Sequence, residues 1–153
     1  MTSSEGTGGG LDERVLLLLS ASRDAESMPR VLEGIGVASM ICATPEVLCS
    51  EIGKGAGAVL IEEEFLSPRT RESLVRVLNN QPSWSELPII VLLRRGAETQ
   101  AARDALFLPG DVTMVERPVR VNTLVAFVIS ALRSRRRQYL VRNEIDERKR
   151  KEE

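Results

Sequence analysis

The sequence predicts an α/β fold on a five-stranded, all-parallel sheet with helices on both faces, and three observations predict it. Short unbroken apolar runs recur along the chain, as in Leu16-Leu17-Leu18-Leu19 and Pro88-Ile89-Ile90-Val91-Leu92. Strands buried on both faces read this way, whereas half-exposed strands alternate apolar with polar. Segments of helical spacing separate the runs, and a helix between consecutive strands makes the crossover that parallel pairing requires. The length of 153 residues suits one domain with tails to spare, large enough to bury a core without disulfides or metal.

Each element has a local reason. Met1 to Gly10 is rich in Ser, Thr and Gly and has no apolar stretch of the signal-peptide kind, so residues 1–12 read as a flexible tail. Arg14 to Leu19 is the first strand, closed by Ser20-Ala21-Ser22. Arg23 to Ile35 carries helical spacing through Val31, Leu32 and Ile35, with Gly34 and Gly36 marking its end. Pro29 fits badly inside that helix, which either starts late, near Ser27, or is kinked. Val37 to Cys42 is the second strand. Thr44-Pro45 is an N-cap followed by proline at the first helical position, opening a helix to Ile52 that stops at Gly53. Ala56 to Ile61 is the third strand, and Ser67-Pro68 caps a helix to about Asn80. Pro82 to Leu87 is a loop holding the single tryptophan, Trp84. Pro88 to Leu93, Glu98 to Leu106 and Val112 to Glu116 read as strand, short helix and strand, with Pro109-Gly110 breaking the helix. A long helix starts at Val121.

Composition removes whole classes of chemistry. With no histidine, the chain has no Ser-His-Asp or Cys-His catalysis, no His-ligated metal and no phosphohistidine of its own. A net charge of −1 and 3% aromatic residues argue against a whole-surface nucleic-acid or membrane binder and against base-stacking platforms. No apolar run approaches the roughly 18–20 residues of a membrane span, so the chain reads as cytoplasmic. Cys42 and Cys49 sit among apolar residues with no Cys-x-x-Cys spacing. They read as reduced, buried thiols rather than a redox pair.

A five-strand doubly wound sheet of this size is the flavodoxin-like arrangement, with expected strand order 2-1-3-4-5 and any ligand at the carboxyl ends of the strands. Those ends carry Ser20 and Ala21, Glu62 to Glu64, Leu93, and Arg117-Pro118. Over roughly residues 13 to 133 the chain resembles the receiver domain of bacterial response regulators. The resemblance rests on the repeated β-α order and on Arg117-Pro118, which matches the family's Lys-Pro step. Pro88-Ile89-Ile90-Val91-Leu92 and Gly110 support it. It implies a cis Arg117-Pro118 bond.

A working receiver needs an acidic pair for Mg²⁺, an aspartate nucleophile, a hydroxyl and a lysine that bind the phosphoryl group, and an aromatic switch residue. By the resemblance, these positions fall on Ser20 and Ala21, Glu62, Leu93, Arg117 and Met114. Mg²⁺ wants hard oxygen ligands, and small uncharged residues do not supply them. Leucine cannot hydrogen-bond a phosphoryl oxygen. The resemblance therefore implies a pseudo-receiver: fold kept, phosphotransfer lost, no cofactor and no metal. As a charge run, Glu62, Glu63 and Glu64 read as a solvated acidic loop. The sharper alternative pairs Glu62 with Arg117 across the strand ends.

The last helix is too long for the domain. Val121, Leu124, Val125, Val128, Ile129 and Leu132 form a stripe that covers the sheet. From Arg133 onward nine basic residues face five acidic ones, which leaves +4 there and −5 in the rest of the chain. Residues 134–153 are read as a basic extension. The favoured reading is a helix that pairs with its copy in a homodimer through Val125, Val128, Leu132 and Tyr139, at 3-4-7 spacing. A solvated linker helix is the alternative, and interspersed acids weaken nucleic-acid contact at Arg133 to Arg137.

The step Gln81-Pro82-Ser83-Trp84-Ser85-Glu86-Leu87-Pro88, with the Arg-rich exit helix, resembles the N-terminal module of bacterial hybrid sensor histidine kinases. It implies a non-enzymatic regulatory module in two-component phosphorelay signalling, with a kinase or other signalling protein as partner and no nucleic acid or membrane. Neither a kinase glycine-rich nucleotide box nor a phosphoacceptor histidine is present. The alternatives are a divergent phosphoacceptor receiver, or a small-ligand-binding flavodoxin-like domain. The latter is weakened because no phosphate-cradling glycine loop follows the first strand.

Overall fold

The computed structural model describes residues 11–20, 23–82, 85–96 and 99–152, with the side chains of residues 23–25 excepted. Ala21, Ser83 and Trp84, singled out above, lie outside the described residues. The order of elements is β1 (Val15–Leu18), α1 (Arg23–Gly34), β2 (Ser39–Ile41), α2 (Pro45–Lys54), β3 (Ala58–Glu62), α3 (Pro68–Asn79), β4 (Pro88–Leu93), α4 (Gln100–Ala105), β5 (Asp111–Glu116) and α5 (Val121–Glu152). The strands form one sheet of order 2-1-3-4-5, every pair parallel, as the sequence predicts.

Parity along the strands explains the unbroken apolar runs. Leu16, Leu18, Val59, Ile61, Ile89 and Val91 face one layer, completed by Leu48 and Ile52 of α2 and Leu74 and Leu78 of α3. Val15, Leu17, Leu60, Ile90 and Leu92 face the other, against Met28 and Leu32 of α1 and Leu124, Val128 and Leu132 of α5. Successive residues of a strand point to opposite faces, and both faces are covered here. Edge strands differ. β2 covers only Ser39–Ile41 rather than Val37 to Cys42, and Ile41 is 59% exposed.

The caps act as the sequence implies. Thr44 Oγ1 accepts the Val47 N–H at 3.2 Å, and Ser67 Oγ accepts the Thr70 N–H at 3.2 Å. α1 does not start late: it runs from Arg23 with Pro29 in its interior. α4 is shorter than expected, because Thr99 rather than an earlier residue is its N-cap, its hydroxyl accepting the Ala102 N–H at 3.0 Å. Both cysteines are free, Cys42 buried and Cys49 half-buried, and burial pushes both thiols above the ordinary thiol range. Among the described residues no helix is long and apolar enough to cross a membrane.

The dimer seam read from α5 requires correction. Val125, Val128 and Leu132 are buried in the protein's own body, Val128 and Leu132 among its core side chains. They are not free to meet a second copy. The contact also runs past residue 133, where the domain was expected to end. Arg135 is 3% exposed; its Nε donates to the Ala56 carbonyl at 3.0 Å and its Nη1 to Ser85 Oγ at 2.8 Å. Tyr139 donates its hydroxyl to the same Ala56 carbonyl at 3.3 Å, and the Arg135 and Arg142 guanidiniums both lie over its ring. Burial raises the Tyr139 phenol above its ordinary range. Gln138 exchanges two bonds with the backbone of Glu86, both 2.7 Å. Arg136 and Arg142 pair with Glu13 and Asp12. Gly57 explains the close approach of the helix: a Cβ there would meet Leu132 Cδ2 at 2.6 Å and the Glu13 backbone at 2.9 Å.

Candidate functional site

The carboxyl ends of β1, β3, β4 and β5 meet as the fold requires. β3 stays buried through Glu62 and then turns into a short 3₁₀ segment, Glu63–Phe65. That turn aims three successive glutamates in three directions. Glu62 is 6% exposed; one carboxylate oxygen accepts the Ser20 N–H at 2.6 Å and the other accepts from Arg117 Nη1 at 3.3 Å. Glu63 is 2% exposed. Its Oε1 accepts the Arg94 N–H at 2.7 Å, and its Oε2 accepts the Thr99 hydroxyl. Glu64 is half exposed and accepts from Arg117 Nη2 at 2.6 Å. The solvated-loop reading therefore fails for two of the three residues, and the Glu62–Arg117 pair is present.

Arg117 is the hub. Its Nε donates to the Leu93 carbonyl at 3.0 Å while its two terminal nitrogens reach Glu62 and Glu64. A guanidinium serves three acceptors at once because its donors form a rigid fork; a lysine ammonium is a compact point charge. The Arg117-Pro118 bond is cis, as the resemblance implies. Ser20 contributes only its backbone N–H to this cluster among the recorded bonds. Leu93 and Met114 are partly buried and pack on the core layer formed with α2 and α3. The Leu93 side chain offers the site no hydroxyl.

These donors do not fit Mg²⁺. A hard cation needs several open oxygens. Here both Glu62 oxygens are committed, Glu63 is turned inward, and a guanidinium stands between Glu62 and Glu64. Among the described residues no cluster of acidic, cysteine or histidine side chains could hold a metal.

Burial pushes the Glu64 carboxyl up, but the Arg117 hydrogen bond and charge outweigh it and hold it below the ordinary range. A depressed folded-state value means that the pair stabilises above the unfolded value and loses that contribution as pH falls through the folded one. Glu64→Gln is expected to be less stable than the parent by about 0.5 kcal/mol near pH 7, because solvent screens the pair. The difference should shrink as pH falls from the ordinary carboxylate range through the lower folded value. Urea titrations from pH 7 downward check this, and a gap that stays undiminished down to pH 3 contradicts it.

The inward turn of Glu63 and the burial of Arg135 escaped the sequence. A charge run does not reveal which carboxylate points inward. For Arg135 a signal exists: Val128, Leu132, Arg135, Tyr139 and Arg142 continue one 4-3-4-3 stripe. The buried face thus carries on in long amphipathic side chains.

No protein-family model matches the sequence, and no curated protein matches it. Solved structures do match in fold. A CheY-like response regulator receiver domain from Methanospirillum hungatei JF-1 superposes with TM-score 0.66 at 17% identity, over 83% of this chain and 98% of that one. The receiver domain of a sensor histidine kinase from Pseudomonas aeruginosa PAO1, solved with magnesium in its active-site cleft, gives 0.62 at 15% identity, over 79% and 98%. The N-terminal domain of a response regulator/sensory box/GGDEF protein from Carboxydothermus hydrogenoformans gives 0.57 at 19%, over 78% and 94%. The chain has the receiver fold.

Proposed function

We propose that this chain is a pseudo-receiver: a cytoplasmic regulatory module of two-component signalling that acts by protein–protein contact and takes up no phosphoryl group. The observation that carries the reading is the Arg117 guanidinium seated against Glu62 and Glu64. A carboxylate nucleophile needs a free oxygen and a cation to offset incoming charge. Here the cation is already neutralised and the carboxylate is engaged on both oxygens. The cluster holds permanently what phosphorylation would otherwise assemble. Its partner on this reading is a kinase or another signalling protein.

The test is to incubate the full chain with acetyl phosphate and Mg²⁺ and follow intact mass under mildly acidic conditions. No phosphoryl increment is expected. Stable incorporation at Glu62 would overturn the proposal in favour of a divergent phosphoacceptor.

A further inference from the structure

A cavity of about 420 Å³ opens at the strand ends, on the side of the sheet that carries α1 and α5. That volume lies in the range of small-molecule sites, roughly 300–1,000 Å³. Its floor is apolar, formed by Leu19, Met28, Leu92 and Leu124. Arg94, Arg95 and Arg117 stand around it, with Glu62 and Glu64. Arg117 satisfies both carboxylates. The side chains of Arg94 and Arg95 are exposed and make no recorded hydrogen bond or ion pair among the described residues. Among the described lining residues, three cations against two carboxylates leave one surplus positive charge.

The backbone at Arg94 is held from the buried side. The buried Glu63 carboxylate grips the Arg94 N–H with one oxygen and the Thr99 hydroxyl with the other. Thr99 in turn caps α4. Gly96, at φ +66°, supplies a left-handed turn immediately after the pair. The buried Glu63 carboxylate thus fixes the backbone at Arg94 and the side chain of Thr99. Pre-organisation of this kind lowers the ordering cost of binding.

We propose that the cavity binds a small organic anion, with an apolar ring body on the floor and a phosphate or carboxylate head at Arg94 and Arg95. Guanidinium groups match either head through paired N–H donors. The site needs neither metal nor phosphotransfer, so it stands independently of whether Glu62 accepts a phosphoryl group.

The experiment titrates 1-naphthyl phosphate, 1-naphthoate, 1-naphthol and inorganic phosphate into the full chain by calorimetry. It repeats the series on the double variant R94A/R95A, whose fold is checked by circular dichroism. At least one of the two organic anions should bind, and the better one identifies the head group. That ligand should bind the double variant at least tenfold more weakly, and naphthol and inorganic phosphate should each bind the parent at least tenfold more weakly than it does. Failure of both organic anions to bind overturns the proposal, as does an unchanged affinity in R94A/R95A. So does inorganic phosphate or naphthol binding as tightly as the organic anion.

Discussion

Replacing Arg135 with alanine is expected to destabilise the protein by about 3 kcal/mol, the scale of losing a buried, hydrogen-bonded charged side chain together with its packing. Arg135 is 3% exposed and donates to the Ala56 carbonyl, Ser85 Oγ and Gln138 Oε1. Burial pulls its pKa below the usual guanidinium value, so the site is costly for a cation and is tolerated because its donors are used. Alanine removes the donors, leaves the Ala56 carbonyl with the Tyr139 hydroxyl as a side-chain partner, and takes the guanidinium away from the face of the Tyr139 ring. In a chain of this size the melting temperature should drop by roughly 6–12 °C. Arg135→Met, which keeps the stem, should recover part of the loss. Denaturant titration of the three proteins decides it. An alanine variant within about 0.5 kcal/mol of the parent, the range of an ordinary surface change, would mean that the anchor contributes nothing.

Arg117→Ala should cost a similar amount, about 3 kcal/mol, for a different reason. It leaves the Glu62 carboxylate, 6% exposed, held by the Ser20 N–H without its cation. Removing one partner of a buried pair leaves an uncompensated charge, whereas removing both does not. The double variant R117A/E62A should therefore be more stable than the sum of the single losses predicts, with a coupling of about 1–2 kcal/mol. Arg117→Lys should fall between, since one ammonium cannot replace a fork that reaches Glu62, Glu64 and the Leu93 carbonyl. Strict additivity of the two alanine substitutions would show that the pair is not coupled in solution.

What could be read from the sequence follows the physics of each element. β1, β3 and β4 were legible because burial on both faces leaves no room for polar residues. The helix starts at Thr44 and Ser67 were legible because an N-cap hydroxyl has a local signature. β2 is shorter than the run Val37 to Cys42 because its pairing spans only three residues, opposite Val15, Leu16 and Leu17, and that register is a tertiary fact. The site was half legible. Composition shows that the Mg²⁺ carboxylates and the hydroxyl are missing, and the Arg117-Pro118 step places the cation. The inward turn of Glu63 depends on a single 3₁₀ turn after β3, which a run of three identical residues does not encode. On α5 the apolar stripe and its place on the sheet are both legible, but Val125, Val128 and Leu132 also fit a dimer seam, and that second reading conflicts with their burial in the body. The same 3-4 spacing that builds a coiled-coil seam also lays a helix on its own sheet, and only the packing distinguishes them.

The docking of α5 has a torsional consequence. Arg135, Gln138, Tyr139 and Arg142 pin the helix to the segments that lead into β1, β3 and β4, so neither its axis nor its roll is independent of the sheet. Ten further helical residues follow Arg142 to Glu152, a rod of about 15 Å at the α-helical rise. Whatever grips that rod meets it at an azimuth set by the globular body. One residue added or removed after Arg142 would turn the rod's far end by roughly 100° while leaving every contact of the body in place. The chain is built like a key, in which the blade's orientation is decided at the bow.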